Sequence, residues 1–157
     1  MSQRCRAWSK ARGFYYMQNS NSIAGWVKYA RNNLESAIRE MKVQCNPRLR
    51  AYEIVLFNCH QSAEKILKAY LLCHNATYPQ VHDLQQLRRM CALVDIGFAN
   101  KRIVSHCAYL NTFWNVKYPD FTVSVDAGHA SRAINSAKRI YDFVSAKLGL
   151  GKQYFTK

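Results

Sequence analysis

The segment Tyr52–Asn75 reads YEIVLFNCHQSAEKILKAYLLCHN, and its apolar residues recur at steps of three and four. This period places them on one stripe of an α-helix that faces a core. The stripe consists of Tyr52, Val55, Cys59, Ala63, Ile66, Leu67, Tyr70 and Cys73. Four polar residues nevertheless stand in the middle of the segment: Gln61, Glu64, Lys65 and Lys68. The pattern therefore predicts a core helix with a group of polar side chains whose purpose needs an explanation.

Helical periods also occupy the chain on both sides of this segment. The upstream stripe consists of Ile23, Val27, Ala30, Leu34, Ala37, Ile38 and Met41. The downstream stripes consist of Leu84, Leu87, Cys91 and Val94, then Ile103, Cys107, Leu110 and Trp114, then Ala130, Ala133, Ala137, Tyr141, Val144 and Leu148. The alternating segment TVSV is too short and too isolated to make a sheet. We therefore predict an all-α fold, an up-and-down bundle of about five helices.

Capping residues support the predicted helix ends. Asp83 and Gln86 have the spacing of a capping box, which indicates that the third helix begins between them. Asp126 or Ser124 could cap the start of the last helix. Gly149 follows the last stripe and is typical of a helix C-terminus.

The composition indicates one globular domain with an anionic partner. The chain has 157 residues, of which 23 are Lys or Arg and 9 are Asp or Glu, giving a net charge of +14. Such an excess favours nucleic acid, a nucleotide or an acidic protein as partner, although it could also serve only solubility. We predict a basic N-terminal arm at 1–20, the bundle at 21–150 and a short tail at 151–157.

The cysteines and histidines form no recognised metal or redox motif. None of the six cysteines is in a C-x-x-C pair, and the five histidines lack the spacing of a metalloprotease helix. Cys59, Cys91 and Cys107 occupy apolar helical positions and are expected to act as small core hydrophobes. We predict no metal, no cofactor, no membrane span and a cytoplasmic location, where thiols stay reduced.

The polar residues of the segment have a simple interpretation. Gln61, Glu64 and Lys68 are three and four residues apart, so they share one side of the helix. Glu64 and Lys68 have the favourable order for an ion pair, which contributes only about 0.2–0.5 kcal/mol on an exposed helix. By this reading the residues form a solvated face with a routine salt bridge.

Four segments resemble the HEPN family, the higher eukaryotes and prokaryotes nucleotide-binding domain. CHQSAEKILKAYLL resembles its central helix, and WVKYARNNLESAIREM fits its first helix. VHDLQQL resembles the His-Asp-Leu segment that opens the next helix, and NVKYPDF resembles an Arg-Tyr-Pro-Asp segment before the last helix. Together they cover roughly Ile23–Leu148. The resemblance implies a compact helical bundle, commonly a homodimer and often encoded beside a minimal nucleotidyltransferase.

The resemblance also implies a different role for the polar residues. In such bundles this side of the second helix lies near a cleft or the dimer interface, where its side chains would be partly buried and hydrogen-bonded. The residues implied to bind a nucleotide or RNA phosphate are Gln61, Glu64, Lys65, Lys68, His82, Lys117, Tyr118 and Asp120. Lys117 would supply a point charge, Tyr118 could stack on a base or pack under Pro119, and Asp120 could orient Lys117 or cap a turn. The alternative for Lys117–Asp120 is a rigid turn that leads into the last helix.

Many relatives are metal-independent ribonucleases that use Arg, four to six residues, then His. Histidine suits proton transfer near neutral pH, and arginine stabilises charge on the reacting phosphate. This chain has Lys117 where the family's arginine stands, and no histidine follows within that spacing. Arg102 and His106 share a helical face but are separated by only three residues.

We therefore expect a nucleotide- or RNA-binding protein without robust catalysis, in a two-component, toxin-antitoxin-type system. One alternative is a toxin-type endoribonuclease that uses Arg102 and His106. The other is a scaffold or interaction module.

Overall fold

The computed structural model describes residues 22–43, 51–77 and 80–151, which form five α-helices and one short 3-10 helix. The helices are α1 (Ile23–Val43), α2 (Tyr52–Cys73), α3 (Leu84–Val94), α4 (Lys101–Asn111) and α5 (Ala127–Lys147), with the 3-10 helix Ile96–Ala99 between α3 and α4. No residue of these described ranges is in a β-strand. The prediction of an all-α bundle is confirmed.

The helix α2 is the centre of the bundle. It packs against α1, α3, α4 and α5, so most of its circumference is covered. A helix in that position needs apolar residues on nearly every side, which explains the composition of its segment. The helix α1 makes the most extensive contact with it, and Asn33 Nδ2 donates to Asn58 Oδ1 at 2.7 Å between them. Because α2 is buried, its polar residues must find partners inside the protein.

The predicted helix ends are largely as observed. The Asp83 carboxylate accepts hydrogen bonds from the backbone N–H groups of Gln85 and Gln86, at 2.8 and 3.1 Å. The Asp126 carboxylate accepts from the N–H of His129 at 2.8 Å, so Asp126 caps α5. Gly149 has φ of 74°, the left-handed conformation that ends a helix at low cost for glycine.

The sequence pattern places Trp114 in the stripe of the fourth helix, and this prediction is wrong. The helix α4 ends at Asn111, and the chain continues in turns. Phe113 takes the buried place instead, packing against Tyr109, Phe121 and His129 with ring-centroid distances of 5.3–6.4 Å. Trp114 is consequently turned outward and is 47% exposed.

Three further expectations concern the cysteines, the chain ends and the membrane. Cys59, Cys91 and Cys107 are buried free thiols, as predicted. The predicted arm at 1–20 and all but the first residue of the predicted tail lie outside the described residues, so the domain division remains a prediction. Within the described ranges, no helix combines the length with the hydrophobicity that a bilayer span requires.

Candidate functional site

A buried carboxylate organises the polar residues of α2. Glu64 is 4% exposed, and Lys68, one turn further on, is 3% exposed. Lys68 Nζ donates to Glu64 Oε1 at 2.8 Å, and His82 Nδ1 lies 3.0 Å from Glu64 Oε2. His82 precedes α3, so the carboxylate joins two segments that are distant in sequence. The reading of a solvated face with a routine salt bridge is therefore wrong.

The hydrogen bonds continue along the same side of α2. Gln61 Nε2 donates to Glu64 Oε2 at 3.2 Å, and Lys65 Nζ donates to Gln61 Oε1 at 2.6 Å. We call Gln61, Glu64, Lys65, Lys68 and His82 the polar face. The His82 side chain is 55% exposed, so the polar face extends from the buried Glu64 to the solvent. Its side chains are thus partly buried and hydrogen-bonded, in the way that the resemblance implies.

The electrostatics of the polar face favour an ionised Glu64. Burial alone would raise the pKa of this carboxyl group, but the hydrogen bonds from Lys68 and His82 outweigh it, and the pKa is lowered. Burial lowers the pKa of Lys65, and this effect exceeds the opposing attraction of Glu64. The carboxylate is thus compensated internally, mainly by Lys68.

His60 is a residue that the sequence analysis missed. It is 1% exposed, and its Nδ1 atom lies 4.0 Å from Glu64 Oε2. Burial lowers its pKa to about 4, although the charge of Glu64 acts in the opposite direction. His60 is one helical turn before Glu64, and this spacing is the signal that could have identified it.

A loop carrying Lys117 meets the polar face at its N-terminal end. Lys117 Nζ lies 5.5 Å from the ring centroid of Phe57 and 5.1 Å from that of Tyr118. Phe57 precedes Gln61 by one turn of α2 and lies on the same side of the helix. We call Lys117–Asp120 the Lys117 loop, and its four residues are all exposed.

Asp120 does not orient Lys117 as the sequence suggested. Among the described residues, Lys117 forms no ion pair with any carboxylate. Its ammonium group instead lies over two aromatic rings, which attract a cation through their π faces. The positive charge of Lys117 is therefore available to a ligand.

Arg102 and His106 lie in a different part of the molecule. Both line an open groove of about 640 Å³ between α4 and α5, which shares no residue with the polar face. We call it the arginine groove. It is lined by Asn100, Arg102, Ile103, His106, Arg139, Asp142 and Phe143. The candidate residues from the sequence thus divide into two sites, one around Glu64 and Lys117 and one around Arg102 and His106.

No metal centre is evident in the described part of the chain. Residues 22–43, 51–77 and 80–151 contain no group of three or more His, Cys, Asp or Glu side chains that could hold a metal ion.

Comparisons with known proteins agree with the resemblance found in the sequence. A family model described as the HEPN domain matches residues 23–148. The crystal structure of an archaeal HEPN homologue superimposes with a TM-score of 0.64 at 22% identity, covering 82% of this chain and 98% of that one. A crystal structure of a protein from Thermus thermophilus gives 0.63 at 23%, covering 80% and 97%. No curated protein gives a significant sequence match.

The buried ion pair makes a prediction for stability. Glu64→Gln would leave the Lys68 ammonium group buried without its carboxylate, so we expect unfolding to become easier by about 3–5 kcal/mol. Adding Lys68→Met should restore much of that loss, because an uncharged side chain needs no counter-charge. Urea unfolding measures both effects.

A matched control is the exposed Arg31–Glu35 pair, which has the same i, i+4 spacing. Glu35→Gln should cost less than about 1 kcal/mol. Two results would contradict the claim that Glu64 compensates the buried charge of Lys68. One is an equal loss of stability in the two glutamate variants, and the other is a double variant no more stable than Glu64→Gln alone.

His60 makes a prediction for pH dependence. Its pKa in the folded protein, about 4, is below the usual 6.5, so its contribution to stability is complete above pH 6.5 and is lost as the pH falls toward 4. We expect that contribution to be about 3 kcal/mol. The slope of the unfolding free energy against pH should flatten between about pH 4 and 6.5 in His60→Gln, compared with the unsubstituted protein. A slope unaffected by His60→Gln would disprove the conclusion that His60 is buried with a lowered pKa.

Proposed function

The chain belongs to the HEPN domain family, and we propose that it binds the phosphate of a nucleotide or of RNA where the polar face meets the Lys117 loop. The observation that supports this most strongly is the position of Lys117. Its ammonium group lies over Phe57 on the side of α2 that carries the polar face. The loop and the helix therefore combine their charges on one surface.

The lysines of this surface have different roles. The charge of Lys68 is compensated by Glu64, so Lys68 contributes mainly to the structure. Lys65 Nζ donates to the neutral oxygen of Gln61, and neither Lys65 nor Lys117 pairs with a carboxylate of the described residues. Lys65 and Lys117 thus provide the attraction for a phosphate.

Two exposed aromatic rings, one in the Lys117 loop and one in contact with it, suit a nucleobase. Tyr118 and Trp114 are each 47% exposed, and their ring centroids are 6.5 Å apart. Stacking of a base on an aromatic side chain contributes about 1–3 kcal/mol in single-strand binding. A cation beside the exposed Tyr118 ring, which itself contacts Trp114, matches a phosphate next to a base.

The proposal is for binding without robust cleavage. The polar face and the Lys117 loop contain a histidine, His82, that could move protons, but they contain no arginine. Lysine holds phosphate as a point charge and lacks the bidentate geometry of a guanidinium group. The arrangement therefore supports recognition better than stabilisation of a reacting phosphate.

A ribonuclease is the second candidate, because Arg102 and His106 line one groove. His106 Nδ1 lies 3.2 Å from Ser136 Oγ, which leaves Nε2 for a substrate. In this case the histidine would move protons and the arginine would stabilise charge.

The partners proposed from the family are a second copy of the chain and a minimal nucleotidyltransferase. A toxin-antitoxin-type pairing in the cytoplasm would fit both. These proposals depend on the family resemblance alone.

The binding proposal is tested with a fluorescent single-stranded RNA titrated at several salt concentrations. The logarithm of the binding constant should fall linearly with the logarithm of the salt concentration, with a slope of about −0.7 per phosphate contact. Lys65→Gln/Lys117→Gln removes two contacts, so the slope should become shallower by about 1.4. Arg89→Gln, an exposed residue of α3 outside both sites, controls for the loss of charge.

The outcomes separate the three functions. An unchanged slope in the double lysine variant, or an equal change in Arg89→Gln, would contradict the proposed surface. Absence of binding at low salt would favour a scaffold. Cleavage of the RNA without metal, abolished in His106→Ala, would favour the ribonuclease.

A further inference from the structure

Two guanidinium groups, those of Arg102 and Arg139, line the arginine groove, and the charge of a third, Arg132, also acts on His106. Arg102 projects from α4, and Arg132 and Arg139 project from α5. None of the three forms an ion pair with a carboxylate of the described residues. The cations outnumber the one carboxylate of the groove, Asp142, so an anion in the groove would be attracted.

Contacts between α4 and α5 place the arginines and His106 at neighbouring levels along the two helices. Tyr109 Oη donates to the backbone oxygen of His129 at 3.1 Å, and the Arg132 guanidinium group lies 4.1 Å from the centroid of the Tyr109 ring. One turn away, His106 is next to Ser136. Arg132, Ser136 and Arg139 are four and three residues apart and share one side of α5. His106 therefore lies between the levels of Arg132 and Arg139.

The remaining lining groups add a hydrogen-bonding acceptor and an apolar wall. Asp142 is the one acidic residue among the described residues that line the groove. Burial raises the pKa of the Asp142 carboxyl group, and the positive charges of Lys138 and Arg139 partly offset this increase. Phe143 contributes an aromatic side chain next to it. A ligand with a hydroxyl or amine group could donate to Asp142 while its anionic end meets the arginines.

We propose that the arginine groove is a binding site for a small phosphate monoester, separate from the RNA surface around Lys117. A monoester carries a charge of about −1.5 to −2 near pH 7, whereas a diester carries about −1, so Arg102 and Arg139 in the groove and Arg132 near it attract the monoester more strongly. Guanidinium groups bind phosphate oxygens through paired hydrogen bonds. The volume of about 640 Å³ is that of a small-molecule site.

His106 reports on the occupancy of the site. In the free protein its pKa is lowered by burial and by the charges of Arg139 and Arg132. The groups that face it from α4 and α5 are Arg102, Arg132, Ser136, Arg139 and Asp142. A bound dianion offsets the arginines, so it should raise the pKa of His106.

The experiment follows the ring resonances of His106 by NMR in the full chain. Inorganic phosphate and ribose 5-phosphate are titrated as probes that carry between one and two negative charges near neutral pH. Dimethyl phosphate, which carries one, serves as the diester. We expect saturable shifts and a raised His106 pKa with the first two probes, and binding at least about tenfold weaker for the diester. Arg102→Gln and Arg139→Gln should each weaken ribose 5-phosphate binding by about tenfold, with Arg89→Gln as the charge-matched control.

The variant Lys65→Gln/Lys117→Gln is measured in parallel to distinguish this site from the RNA surface. Loss of RNA binding with an intact His106 response shows two independent sites, and loss of both shows one site and overturns the inference. The inference is also overturned if the His106 resonances do not respond to either monoester, if the diester binds equally well, or if Arg89→Gln weakens binding as much as Arg139→Gln. Circular dichroism of each variant confirms that the helices are retained.

Discussion

A carboxylate in the centre of a helical bundle must be compensated, and this requirement shapes the region around Glu64. An isolated buried charge costs several kcal/mol, so Glu64 is tolerable there only with Lys68 and His82 in hydrogen-bonding distance. Because Lys68 is on α2 and His82 precedes α3, satisfying one side chain also fixes how the segment before α3 lies against the central helix. The same constraint turns Gln61 and Lys65 toward the solvent end of the network. A surface suited to recognition thus follows from the way one internal charge is satisfied.

The chain separates its positive charges by function. Lys68 is paired in the interior, whereas no ion pair within 4.0 Å joins Lys65, Lys117, Arg102, Arg132 or Arg139 to a carboxylate of the described residues. An excess of +14 makes such unpaired cations common, so charge alone does not identify a site. The Lys117 surface and the arginine groove are distinguished from other cationic positions by their geometry. Lys117 is placed over aromatic rings beside a polar helix face, and the arginines border a groove with a histidine between them.

The sequence predicted the bundle well because helical period and capping residues are local signals. Five stripes correspond to five helices, and Asp83 and Asp126 marked two helix starts correctly. Trp114 was misplaced because a stripe does not show where a helix stops, and Phe113 competed for the same buried space. His60 was missed because a histidine beside a core position looks like any other until its distance to a buried carboxylate is known. The sequence identified only part of the arginine groove, because Arg102 and His106 share a helix, whereas Arg139 joins them only through tertiary packing.

The most direct test of the central claim is the position at which RNA touches the protein. A single-stranded RNA containing 4-thiouridine can be cross-linked to the full chain by ultraviolet light, and the adducts located by mass spectrometry. If the polar face and the Lys117 loop form the binding surface, the adducts should lie at Tyr118, the exposed ring beside Lys117, and at Trp114, which contacts Tyr118. Adducts confined to the C-terminal end of α3 and the start of the 3-10 helix, where Leu93 and Ile96 are exposed, would contradict the account.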